Sequence, residues 1–142
     1  MTHHSKVRAR LLTHASRLFM EQGYHATGIS QLLSDSGVAK ASLYRHFASK
    51  DELLLAYLER EHDHWFESWA AESLLHATPE AKLLALFSFR VQRQRANQFA
   101  GCRFVKIAGE LASGTQPAVE RLIATHKARL HTLVADLVAD AW

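Results

Sequence analysis

The chain has a single cysteine, Cys102, among its 142 residues. That rules out an internal disulfide and any cysteine-rich zinc site. Only two prolines and six glycines punctuate it, and none of the glycines sits in a phosphate-cradling loop. No apolar run approaches the roughly 20 residues needed to cross a bilayer, so no membrane segment is expected. Residues 1–6 are basic in character but lead into no apolar stretch, which argues against a secretory signal and for a cytoplasmic protein. Period-two alternation, the mark of a half-buried strand, is almost missing. A nucleophile elbow and an H-E-x-x-H pair are missing as well, so hydrolytic chemistry has no carrier and no enzyme is expected. Ten histidines raise the question of a metal. His62 and His64 are two apart and His126 and His131 five apart, spacings that put neither pair on one face of a helix. Neither a metal nor another cofactor is expected.

Acid is scarce in one part of the chain. Residues 1–50 hold seven lysines and arginines against Glu21 and Asp35 alone, whereas the remainder holds ten against twelve acids. Positive charge gathered at one end suits a polyanion, since each cation that meets a phosphate releases condensed counterions. With 48% apolar and 22% charged residues the chain has enough material for an ordinary core.

Apolar residues recur at three and four positions nearly throughout, which predicts an all-α protein. A first helix over residues 6–22 would bury Val7, Leu11, Ala15, Leu18 and Phe19, with Gly23 as its left-handed stop. Thr27 would cap a second helix carrying Ile29, Leu32 and Leu33, broken at Gly37. A short third helix follows over residues 40–47. Ser49-Lys50-Asp51-Glu52 is a capping box opening a long fourth helix that fades near Leu75. Thr78-Pro79-Glu80 restarts the chain as cap, first-turn proline and first-turn acid. Residues 83–89 are apolar almost all round, which predicts a central fifth helix. A shorter sixth helix carries Phe104, Val105, Ile107 and Leu111. The last helix carries a stripe of Val119, Ile123, His126, Leu130, Leu133 and Leu137.

Residues 27–50 carry the functional signal. Two short helices hinged at a glycine make a helix-turn-helix, whose second helix enters the major groove. At 100° per residue, Leu43 and Phe47 share the core side of that helix. Ala41, Ser42, Tyr44 and Arg45 face the other way. Arg45 would read guanine O6 and N7, Ser42 would donate to a base or phosphate, Ala41 would touch a thymine methyl, and Tyr44 would reach the backbone. Lys50 sits at the positive end of the fourth helix, an unfavourable place for a cation that a docked phosphate would make favourable.

The order and spacing of Phe19, Gly23-Tyr24, Ala26-Thr27, Gly37-Val38, Leu43-Tyr44, Phe47 and Ser49-Lys50 over residues 10–59 resemble the N-terminal module of TetR-family repressors. The resemblance implies DNA contacts from Thr27, Ser30, Lys40, Ser42, Tyr44, His46 and Lys50, with Arg45 also in the reading helix. It implies a DNA-binding domain over residues 1–50 and a helical ligand-sensing and dimerisation domain over residues 51–142, shorter than is usual in the family. The partners it implies are a palindromic double-stranded operator, a small-molecule effector that releases it, and a second copy of the chain. Two departures stand out. Ala39 occupies the N-cap of the reading helix where many members have serine, and Ser30 is short where many have arginine. Trp65, Phe66, Trp69, Phe87, Phe104 and His126 are the candidate ligand-binding residues, each also serviceable as ordinary core. The last helix would pair with its twin along its apolar stripe. The competing reading is a helical module that binds a small molecule or a partner without binding an operator.

Overall fold

The computed structural model describes residues 3–142, with side chains from His4 onward; Met1 and Thr2, part of the basic opening stretch, lie outside the described residues. Seven helices and no strand occur among them: α1 (His3–Glu21), α2 (Ile29–Ser36), α3 (Lys40–His46), α4 (Lys50–Ser73), α5 (Pro79–Ala96), α6 (Arg103–Glu110) and α7 (Pro117–Ala141). None is long and apolar enough to cross a membrane.

The local signals act much as read. Ser49 Oγ accepts the Glu52 N–H at 3.1 Å, while the Glu52 carboxylate reaches back to the Ala48 N–H at 2.7 Å. Thr78 caps α5 by accepting the Ala81 N–H at 3.2 Å, with Pro79 in the first turn. Gly37 ends α2 at φ 63° and donates its N–H to the Leu33 carbonyl at 2.9 Å, a left-handed cap that a β-carbon would strain. Thr27 is a correction. Gly28 is the N-cap of α2 and no side chain caps it. The Thr27 hydroxyl instead donates to the Gly23 carbonyl at 2.7 Å, inside the turn after α1.

Two apolar cores follow from the pattern. The first gathers Leu11, Leu18 and Phe19 of α1, Leu32 of α2, Leu43 of α3, and Leu53, Leu54, Tyr57 and Leu58 of α4. It continues past residue 50 into Phe104 and Ile107 of α6 and Val119 and Ile123 of α7. The second lies between α4, α5 and α7 around Trp65, Phe66, Trp69, Leu86, Phe89 and Leu137. Each fully buried leucine or phenylalanine contributes about 1.5–3 kcal/mol relative to exposure, and α4 draws on both cores.

Two expectations change. The fifth helix is not central: it packs through Ala85, Leu86 and Phe89, while Leu84 and Phe87 stand 71% and 65% exposed. An all-round apolar run cannot say which side is covered when its main neighbours, α4 and α7, lie on one side of it. The stripe on α7 is not free for a twin. Val119, Ile123, His126 and Leu137 are buried within the chain, and Leu130 and Leu133 pack against the second core.

Candidate nucleic-acid interface

The helix α3, expected to read DNA, is fixed from below. Leu43 is fully buried and Phe47, just past its end, nearly so. At 100° per residue the opposite side must face out, and it does: Lys40, Ala41, Tyr44 and Arg45 are exposed, with Ser42 and His46 half-buried. Ser30 on α2 is also exposed. Thr27 is the exception, with 2% of its surface accessible and its hydroxyl committed to Gly23. Ala39 gives α3 no side-chain cap, as its identity dictates.

Charge is distributed so that this face stays positive. Both carboxylates of residues 1–50 go to one arginine: Arg17 pairs with Glu21 at 2.9 Å and with Asp35 at 2.6 Å, locking α1 to α2. Lys6, Arg8, Arg10, Lys40 and Arg45 form no ion pair among the described residues. Arg8 lies over the Phe47 ring at 5.3 Å, and the His4 and His46 rings lie tilted against each other with centres 3.9 Å apart, so the start of α1 adjoins the end of α3. Burial, together with His4, Arg8 and Arg45, pushes the His46 imidazole below its ordinary pKa. Sequence reasoning missed His4 and Arg8 as neighbours of the third helix; the lopsided charge of the first fifty residues contained Arg8, and nothing marked His4.

Lys50 is held differently from the expectation. Its ammonium sits 4.1 Å from the centre of the Tyr24 ring, half-buried. Burial lowers its pKa, while Asp51 and Glu110 act the other way. The ring face and these two carboxylates relieve the conflict with the helix terminus before any phosphate arrives.

The turn after α1 is gripped from the other half of the chain. Glu110, at the end of α6, accepts the Tyr24 N–H at 3.1 Å and the His25 N–H at 3.0 Å. The His25 ring donates from Nε2 to the Glu110 carbonyl at 2.9 Å. Gly23, at φ 91°, permits this: a β-carbon there would stand 2.8 Å from Glu110 Oε1. The Lys106 ammonium donates to the Met20 carbonyl, the Tyr24 hydroxyl donates to Asp51, and Gln116 Nε2 donates to Asp51 at 3.0 Å. No sequence motif marked Glu110.

The opposite end of α6 borders a cavity of about 190 Å³ between α4, α5, α6 and α7. Of the candidate ligand-binding residues it collects Trp65, Phe104 and His126. Phe66 and Trp69 are buried in the second core, and Phe87 points to solvent on the outer side of α5. His126 stacks on Phe104 with ring centres 3.7 Å apart and planes 11° from parallel. It also meets His62 across the bundle, Nδ1 to Nδ1 at 3.1 Å. No group of three metal-binding side chains occurs among the described residues. Burial, then His62, Arg90 and Arg129, push the His126 pKa down to about 4, so its ring is neutral near pH 7.

A helix-turn-helix whose outward face is basic, carried on a helical body with a half-open cavity, is the class that this fold and these sites define. Residues 11–57 match the profile of the bacterial regulatory proteins of the tetR family. SCO4454, a TetR-family transcriptional regulator from Streptomyces coelicolor, is 32% identical and superposes with a TM-score of 0.90 over 96% of this chain and 71% of its own. The chain belongs to the TetR family. The HTH-type transcriptional activator FasR of Mycolicibacterium smegmatis is 48% identical over 56 residues, 39% of this chain and 26% of FasR. The HTH-type transcriptional repressor KstR2 of Mycobacterium tuberculosis is 41% identical over 56 residues, 37% of this chain and 28% of KstR2. The matched stretch is thus little more than a quarter of either protein.

Proposed function

We propose that the chain is a cytoplasmic DNA-binding transcriptional regulator: a repressor that binds a palindromic operator as a homodimer and leaves it when a small molecule enters the cavity. The carrying observation is α3, pinned by Leu43 and presenting Lys40, Ala41, Tyr44 and Arg45 on an acid-free face. Similarity to both an activator and a repressor leaves the sign of regulation to the chain's own construction. A cavity and a reader joined through α6 favour ligand-driven loss of DNA binding, which suits a repressor whose effector permits expression.

The test is fluorescence anisotropy with the duplex upstream of the chain's own gene, followed by footprinting. A dimer should protect two half-sites about 34 Å apart. Arg45→Ala should relax preference at one base pair by about 1–3 kcal/mol. Lys50→Ala should weaken binding to all duplexes alike and lower the salt slope by about one. Binding to no duplex by the intact chain would leave the ligand- or partner-binding module as the reading.

A further inference from the structure

We propose that the cavity between α4, α5, α6 and α7 accepts a small aromatic carboxylate, its ring against Phe104 and Trp65 and its anion beside Arg93, Arg90 and the first turn of α6. This rests on reading the cavity as the effector site and names the class of molecule that enters it.

Charge on the wall is one-sided. Arg90, Arg93, Arg103 and Lys127 line it against one carboxylate, Glu61. That carboxylate is occupied, at 3.1 Å from Arg103 and 3.6 Å from Arg60. Arg90, Arg93 and Lys127 form no ion pair among the described residues. Arg93 is half-buried beside the Phe89 ring, and burial followed by Arg103 pushes its guanidinium below the ordinary pKa. Arg90 and Lys127 stand exposed at the rim, and Arg93 is the partly desolvated one, its nearest carboxylate Glu61 already bonded to Arg103; an entering anion supplies the partner it lacks.

The backbone points the same way. Gly101, Cys102 and the first residues of α6 line the cavity, and the N-cap Cys102 makes no side-chain hydrogen bond to the first turn. Uncapped first-turn N–H groups and the positive helix end both favour an anion.

The neutral groups add a donor. Arg129 Nη1 lies 3.4 Å from His62 Nε2, and a guanidinium has only donors, so that nitrogen accepts. His62 Nδ1 therefore carries the proton and donates to His126 Nδ1 at 3.1 Å. His126 is left with its proton on Nε2, as a donor among the cavity residues. Its ring is parallel to Phe104, and Trp65 stands edge-on to it with centres 6.0 Å apart at 83°. Flat aromatic walls favour a ring over a flexible chain. The volume of about 190 Å³ falls below the roughly 300–1,000 Å³ of drug-sized sites, so the molecule is small.

Isothermal titration of the full chain with benzoate, benzamide and benzylammonium tests this. Benzoate should bind at least about tenfold tighter than benzamide, and benzylammonium should show no binding. Arg93→Gln should cost benzoate about tenfold and benzamide less than about twofold, with the helical circular dichroism unchanged. Lys127→Gln, at an exposed position, serves if the first variant fails to fold and should narrow the same acid-to-amide ratio. Benzamide matching benzoate, no binding by any probe, or a ratio unmoved in a folded variant would overturn the proposal. Operator release is read separately. Benzoate that binds without displacing DNA supports the carboxylate site and sinks the release mechanism. Benzamide that binds as tightly as benzoate and displaces DNA does the reverse.

Discussion

Replacing Glu110 with alanine should unlatch the DNA reader from the body. The carboxylate accepts two backbone N–H groups, from Tyr24 at 3.1 Å and His25 at 3.0 Å. A hydrogen bond to a charged acceptor contributes about 1.5–3 kcal/mol when shielded, and this site is half open to water, so the pair together is worth about 2 kcal/mol. The bond from the His25 ring to the Glu110 carbonyl survives in the variant, because the main chain stays. For a chain of 142 residues, a loss of about 2 kcal/mol corresponds to a melting temperature lower by about 6 °C. The local signature is sharper. Exchange of the Tyr24 and His25 amides should accelerate by about thirtyfold, while amides in the middle of α4 change only as far as global stability does. Hydrogen-exchange NMR alongside thermal melting reads both. Gly23→Ala should deprotect the same two amides, since the added carbon would stand 2.8 Å from Glu110 Oε1. Parental exchange at those amides in Glu110→Ala would refute the latch.

Three further outcomes follow from single contacts. Thr27→Val keeps the buried shape but removes the donor to the Gly23 carbonyl at 2.7 Å, and should cost about 1–3 kcal/mol in urea unfolding. Ala39→Ser supplies the missing acceptor at an extended N-cap, φ −66° and ψ 144°, and should raise stability by about 0.5–1 kcal/mol in the same assay. The fold should lose stability as pH falls from about 6.5 towards 4, because His126 takes up its proton near 6.5 when unfolded but only near 4 when folded. Its contribution is complete above 6.5, and His126→Phe, which keeps a ring against Phe104, should flatten the acid limb of stability against pH.

The reader was legible because its instructions are local. Gly37 needs a left-handed φ, Ser49 and Glu52 form their box within one turn, and the angle between Leu43 and Arg45 follows from helix geometry alone. Thr27 misled because it stands beside the true cap: a threonine one residue before Gly28 looks like an N-cap, yet its hydroxyl has a nearer acceptor in Gly23. The body was harder to read. Whether the apolar run of α5 is covered depends on what lies beyond α4 and α7, which no local pattern encodes, and Phe87 was misplaced for that reason. His62 and His126 meet across 64 positions, a contact that separations within one helix cannot reveal. Aromatic side chains drew the eye to the cavity. Its arginines lie on two helices, Arg90 and Arg93 on α5 and Arg103 on α6, and no spacing along the chain announces that they line one cavity.

If a ligand in the cavity releases DNA as proposed, the coupling would run more easily through α6 than through α4. The long helix α4 is buried in both cores, through Leu53, Leu54, Tyr57 and Leu58 at one end and Trp65, Phe66 and Trp69 further on. Tilting it means repacking both, and dense interiors resist continuous deformation. By contrast α6 has eight residues, about 12 Å of helix, with Phe104 and Ile107 as its buried residues. Its first turn is a wall of the cavity, and its last residue holds the Tyr24 and His25 amides. A ligand that displaced Arg103 or Phe104 would then shift Glu110 along the same short rod and, with it, the turn ahead of α2. The expected consequence is that Glu110→Ala still binds ligand and still binds operator, but each event influences the other less, the His25 and Lys106 contacts being what remains of the link. A variant that released DNA on ligand binding as readily as the parent would transfer the coupling to α4.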